Sequence, residues 1–132
     1  MSVSNMATLS FRIYLASGER LGPGKRQLLQ LIDDLGSISA AGRAMKMSYR
    51  RAWLLIEEVN ASFRLPLVEK APGGSGGGGA ALTPIGRQVL TCLDEIDTVV
   101  GQAAAKALTQ LDDLTEGCKP AKKKAGTKSA GQ

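Results

Sequence analysis

The apolar positions change period along the chain, and the changes divide it into elements. Leu9, Phe11, Ile13 and Leu15 alternate with Ser10, Arg12 and Tyr14. This period of two in β-forming residues predicts a half-buried strand, closed by a Ser17-Gly18-Glu19 turn. From Gly22-Pro23-Gly24 the period becomes helical. Leu28, Leu31, Ile32 and Leu35 share a face, proline suits the first helical turn, and Gly36 is a stop. Ser37 caps a short helix over Ile38–Met45, rich in Ala40, Ala41, Gly42 and Ala44. Lys46 and Met47 form a tight turn, and Ser48 caps a third helix running to about Phe63. The buried stripe of that helix is expected to be Ala52, Trp53, Ile56, Val59 or Asn60, and Phe63, leaving Leu54 and Leu55 off its centre.

Pro66 stops the third helix. Residues 67–70 then read as a short strand, 73–79 as a glycine loop and 80–82 as a returning strand, which together make a hairpin. Thr83 and Pro84 start a last helix. Its apolar positions are Ile85, Val89, Leu93, Ile96, Val100, Ala103, Ala107, Leu111 and Leu114. That seam spans about 45 Å at ~1.5 Å per residue, with Gly101 as a candidate break. The order of elements is that of a winged helix-turn-helix, mainly α with a small β-hairpin, followed by a long C-terminal dimerisation helix. The expected organisation is a winged helix-turn-helix domain over 9–83, a dimerisation helix over 84–116 and a disordered basic tail over 117–132.

Composition removes several classes of function. The chain has no histidine, which eliminates the commonest general base and most zinc sites. Cys92 and Cys118 lie far apart, without metal-ligand spacing, and read as unpaired thiols of a reducing cytoplasm. No apolar run approaches the ~18 residues of a membrane-spanning helix. Met1–Ser10 has no basic cluster before an apolar core, so a secretory signal is not expected. The residues point to a binding protein rather than an enzyme.

Charge is segregated. Residues 20–87 hold ten basic side chains against five acids, whereas 88–116 hold six acids and one base, Lys106. The last fourteen residues carry five lysines and no acid. One part therefore suits an anion and another faces away from it.

The basic part includes the chemistry a helix-turn-helix requires. A helix entering a major groove about 12 Å wide must carry base- and phosphate-reaching groups on its first turn. Ser48, Tyr49, Arg50 and Arg51 supply a hydroxyl, an amphipathic ring and two guanidinium forks, and Lys46 adds charge at the turn. The alternative for the arginines is an ion pair with Glu57 or Glu58, and for Tyr49 it is packing; Trp53 and Met47 are taken as core. The glycine run lacks the Lys-Ser/Thr ending of a phosphate-binding P-loop. It reads either as a linker or as a wing tip, with Gly76 and Gly77 approaching the sugar-phosphate backbone and Lys70 and Arg87 flanking them. Val89, Leu93, Ile96, Val100, Ala103 and Ala107 form the expected dimer seam, placing two reading helices about 34 Å apart on double-stranded DNA.

These segments resemble a known family. Gly-Ser-Ile-Ser-Ala-Ala (36–41), Met-Ser-Tyr-Arg-Arg-Ala-Trp (47–53), Leu-Val-Glu-Lys (67–70), Gly-Gly-Ser-Gly-Gly-Gly-Gly-Ala (73–80) and Leu-Thr-Pro-Ile-Gly (82–86) are similar to the amino-terminal domain of ModE-type regulators. Those are bacterial molybdate-dependent transcription factors with a LysR-like winged helix. The resemblance spans about residues 9–115. It implies a cytoplasmic, dimeric DNA-binding regulator of molybdenum-related genes that reads DNA with the start of its third helix, here Ser48 to Arg51. Full-length members carry oxyanion-binding domains after the winged helix, whereas this chain continues into a lysine-rich tail. No cofactor is expected, and molybdate stays open as an effector without an evident pocket. Two rival readings stand beside this one: a protein-interaction scaffold, and a small molybdate-binding protein, against which the acidic last helix argues.

Overall fold

The computed structural model describes residues 6–72 and 79–118. The Ser17–Glu19 turn folds the first segment onto itself. β1 (Ile13–Tyr14) pairs antiparallel with β2 (Arg20–Leu21), Ile13 opposite Leu21, and Gly18 takes a left-handed φ of 98° at the turn. The strand expected from Leu9 to Leu15 is thus reduced to two residues, because β2 offers a partner over only that length. The alternation survives as burial, with Phe11, Ile13 and Leu15 packed against the core.

Three helices follow: α1 (Pro23–Leu35), α2 (Ile38–Ala44) and α3 (Tyr49–Ser62). Helix α1 starts with proline in its first turn and ends where Gly36, at φ 72°, returns its N–H to the Ile32 carbonyl (2.8 Å). Its buried side chains are Leu28, Leu29 and Ile32. Leu29 replaces Leu35 of the expected stripe, since Leu35 is on the last turn, beyond the reach of the other helices, and is exposed. On α3, Ala52, Ile56 and Val59 face inward as expected. Trp53 does not; it is 36% exposed, one position around the helix from the line that Ala52, Ile56 and Val59 already fill.

β3 (Val68–Lys70) and β4 (Ala80–Leu82) form the hairpin, with Val68 opposite Leu82 and Lys70 opposite Ala80. The ladder continues outward through Ala71 N–H to Gly79 O (3.0 Å). Ala80 N–H also donates to the Gly36 carbonyl (3.0 Å), and Ser37 bridges Gly79. The returning strand is thereby tied to the junction between α1 and α2.

α4 (Pro84–Leu114) is one continuous helix of 31 residues, capped by Thr83 and unbroken at Gly101. Its first three turns are part of the core: Leu90 and Leu93 are buried, and Ile85 and Val89 pack against it. The core unites all four helices with both strands of the hairpin, centred on Leu28, Leu29, Ile32, Ile56, Val59 and Leu67. Ion pairs stitch α1 to its neighbours at the surface: Lys25 with Glu58 (3.0 Å), Arg26 with Asp94 (2.7 Å) and Arg87 with Asp33 (2.9 Å).

Candidate nucleic-acid interface

The pair α2–α3 is built by small residues and two serine caps. Ser37 Oγ accepts from Ala40 N–H (3.0 Å) and starts α2. Gly42 then allows α3 to come close: a Cβ there would stand 3.3 Å from Ala52 Cβ, so the two helices touch almost through their backbones. The turn is closed by Lys46 N–H to Arg43 O and Met47 N–H to Gly42 O, both 3.0 Å. Lys46 takes φ 59°, the positive-φ non-glycine residue among those described. A side chain in that conformation is unusual, and here it turns the chain sharply between helices. Ser48 Oγ accepts from Arg51 N–H (3.1 Å) and caps α3. Most first-turn N–H groups of α3 still have no helical acceptor, which leaves this end electropositive.

The capped end points its cations outward. At ~100° per residue, Arg50 lies nearly opposite the Ala52–Ile56–Val59 line and Arg51 about 110° to one side. Both are exposed, as are Tyr49 and Lys46. Of the two alternative partners of the arginines, Glu58 is held by Lys25 instead, and Glu57 makes no ion pair among the described residues. Among the described residues neither Arg50 nor Arg51 has an ion pair. Arg43, on the last turn of α2 and 3.4 Å from Ser39 Oγ, adds an exposed cation beside the turn. Sequence reasoning passed over it, though its position four residues after Ser39 on a short helix was a signal.

The hairpin is fastened to α3 by one side chain. Asn60 Oδ1 accepts from Leu67 N–H (2.8 Å) and Val68 N–H (3.1 Å), while its Nδ2 donates to Val68 O (3.2 Å). The other side of the hairpin is fastened by the Leu-Thr-Pro-x-Gly segment. Thr83 N–H donates to Leu67 O (2.9 Å), its hydroxyl to Pro66 O (2.8 Å), and its Oγ1 accepts from Gly86 N–H (3.0 Å). Gly86 is pressed against the Leu67 carbonyl so closely that any Cβ would overlap the oxygen. Lys70 projects exposed from the outer end of β3. Gly76 and Gly77 lie outside the described residues, as does the basic tail over 119–132. Arg87 is near the hairpin in sequence, yet its guanidinium is bonded to Asp33 of α1, because the first turn of α4 packs beside that helix.

Of the seam residues on α4, Leu93 is 3% exposed within the core of its own chain and Val89 is half-buried against it. Ile96, Val100, Ala103 and Ala107 are exposed, together with Val99. They trace a stripe rotated about 80–100° from the face that holds Leu90, Leu93 and Ala104. The N-terminal segment lies along α4, with Ala7 N–H donating to Asp112 (2.6 Å). Between that segment, α1 and α4 is a cleft of about 380 Å³ lined by Leu9, Phe11, Pro23, Leu93, Arg26 and Asp97. Its cation already faces Asp94 and Asp97. Among the described residues no acidic or thiol cluster has metal-holding geometry, and no helix is long and apolar enough to cross a membrane.

No protein-family model matches the chain. It is 40% identical over 86 residues to the molybdenum-pterin-binding protein MopB of Rhodobacter capsulatus, a match covering 65% of this chain and 32% of that protein. It is 38% identical over 91 residues to the DNA-binding transcriptional dual regulator ModE of Escherichia coli K12, covering 69% and 33%. ModE of Yersinia pestis is 38% identical over 81 residues, covering 61% and 31%. The matched region spans about a third of the length of each of these relatives and lies in the N-terminal part. In three dimensions the chain resembles the CbnR DNA-binding domain solved in a complex with DNA. The TM-score is 0.53 at 16% identity, over 67% of this chain and 95% of that one. The likeness establishes a winged helix with a long C-terminal helix, and the relatives are ModE- and Mop-type molybdenum-related proteins.

Proposed function

We propose that this chain is a sequence-specific regulator of molybdenum-related genes that binds double-stranded DNA as a homodimer. The observation that carries the reading is the capped start of α3, where Arg50 and Arg51 are exposed and, among the described residues, without ion pairs beside a helix-turn-helix turn. In this reading α3 enters the major groove. Arg50 and Arg51 take base edges or phosphates, Ser48, Tyr49 and Lys46 fix the register on the backbone, and the hairpin with Lys70 and its glycine tip flanks the groove. Arg87 contributes by holding α4 to α1. The similarity to ModE of Escherichia coli, described as a DNA-binding regulator, supports this reading. The exposed stripe Ile96–Val100–Ala103–Ala107 on α4 is the dimer face, with Val89 and Leu93 behind it in each protomer's core. The acids of α4 then lie away from DNA. No catalytic role is assigned, and the place of action is the cytoplasm.

Against the molybdate-binding alternative, the cation of the described cleft between α1, α4 and the N-terminal segment, Arg26, is already met by two carboxylates. The test is a titration against pooled genomic fragments at two salt concentrations, with and without molybdate. A few fragments should be retained and released steeply by salt. Arg50→Ala or Arg51→Ala should weaken specific binding by about 1–3 kcal/mol if that arginine reads a base. Absence of duplex binding at low salt would overturn the proposal in favour of a scaffold.

A further inference from the structure

Leu54 is the exposed large aliphatic side chain of α3, beside the exposed aromatic rings of Tyr49 and Trp53. It is 45% exposed, whereas its neighbour Leu55 packs against the core. At ~100° per residue it lies within about 20° of the line directly opposite the buried face, one turn after Arg50 on the same side. An isolated exposed leucine on a protein surface signifies nothing. This one lies in the middle of the surface that the proposed function directs into the major groove. Arg50 and Arg51 precede it by four and three residues. Two acids follow on the next turn: Glu58 is drawn to Lys25 at 3.0 Å, whereas Glu57 is exposed and makes no ion pair among the described residues, one turn further from the capped end than Leu54.

A branched aliphatic side chain makes no hydrogen bond, so it is inert toward guanine, cytosine and adenine edges. The major groove offers it one apolar feature, the 5-methyl group of thymine. Spacing agrees with such a contact. Residues four apart on a helix have Cβ atoms about 5–6 Å apart, and successive bases of one strand are about 3.4 Å apart along the axis. A base reached by Leu54 is therefore one to two steps from a base reached by Arg50.

We propose that Leu54 is a specificity-determining residue that covers the 5-methyl group of a thymine one to two base pairs from the pair read by Arg50. The inference rests on the DNA-binding reading above, and its test separates the two. Duplexes are first enriched from a random-sequence pool by the full chain. The winning duplex is then scanned by replacing each thymidine with deoxyuridine, which removes the 5-methyl group and nothing else. Wild-type protein should lose about three- to fivefold in affinity at one thymidine of each half-site, the worth of burying one methyl group. Leu54→Ala should lose a comparable amount on the thymidine duplex and be indifferent to deoxyuridine at that position. Because the side chain lies outside the core, Leu54→Ala should unfold at the wild-type temperature, which excludes loss of fold as the cause.

If duplexes are enriched but no deoxyuridine substitution matters, or if Leu54→Ala retains the full penalty, Leu54 reads no thymine and only this inference falls. If no duplex is enriched, the DNA-binding reading falls with it.

Discussion

Helix α4 contains two glycines in opposite circumstances, and replacing each with alanine separates packing from helix propensity within one element. At Gly86 a Cβ would come inside 3.0 Å of the Leu67 carbonyl oxygen, a separation Cβ atoms essentially never show, and stand 3.1 Å from the carbonyl carbon and 3.3 Å from Leu82 Cβ. The obstacle is backbone, so no rotamer change relieves it. Either β3 or the start of α4 has to retreat. Retreat strains the Thr83 N–H to Leu67 O bond (2.9 Å) and the Thr83 hydroxyl to Pro66 O bond (2.8 Å). Overpacking of this kind costs about 1–3 kcal/mol, and each strained bond adds about 0.5–1.5 kcal/mol. Alanine's better helix propensity returns about 1 kcal/mol. The net expectation for Gly86→Ala is a destabilisation of about 1–5 kcal/mol. At Gly101 nothing lies within 4 Å of the added carbon, so Gly101→Ala should stabilise by about 0.5–1 kcal/mol. Urea unfolding followed by circular dichroism, at one fixed protein concentration so that self-association contributes equally, measures both. A Gly86→Ala variant as stable as wild type would refute the close approach of α4 to β3. A destabilised Gly101→Ala would mean that this stretch of α4 is not helical in solution.

Further outcomes follow from other contacts. Asn60→Ala removes three hydrogen bonds to the hairpin and leaves Leu67 and Val68 backbone groups without those partners; it should cost about 2–4 kcal/mol in unfolding, and a loss under 1 kcal/mol would show the hairpin to be held by the core alone. Val100→Glu places a charge in the exposed stripe of α4 and should convert a dimer to a monomer by sedimentation while leaving the monomer's helical spectrum intact; an unchanged sedimentation coefficient would put self-association elsewhere or remove it. Arg87→Ala breaks an exposed ion pair worth about 0–1 kcal/mol and should reduce DNA affinity far less than Arg50→Ala; an equal loss in both would restore Arg87 as a DNA contact.

Much of this protein is determined locally. Helix starts at Ser37, Ser48 and Thr83, the proline-led starts of α1 and α4, and the stop at Gly36 all depend on groups within four residues of one another, so they are legible in the sequence. The helix-turn-helix is equally local, which is why the exposed first turn of α3 could be named from its residues.

What the tertiary structure decided are the contacts between segments far apart in the chain. Arg87 looks like a flank of the wing until α1 presents Asp33, 54 residues away. Asn60 reads as one of two candidates for a core stripe, but the hairpin arrives beside it and makes it a clamp. Leu93 and Ile96 belong to one continuous apolar seam, and only the docking of α1 buries the first and leaves the second at the surface. Trp53 and Leu35 are as hydrophobic as the residues chosen in their place; they are exposed because packed helices cover limited arcs of one another. Periodicity specifies the elements and their faces, since it follows from backbone geometry. Which arc of each face is covered depends on partners that no local pattern encodes.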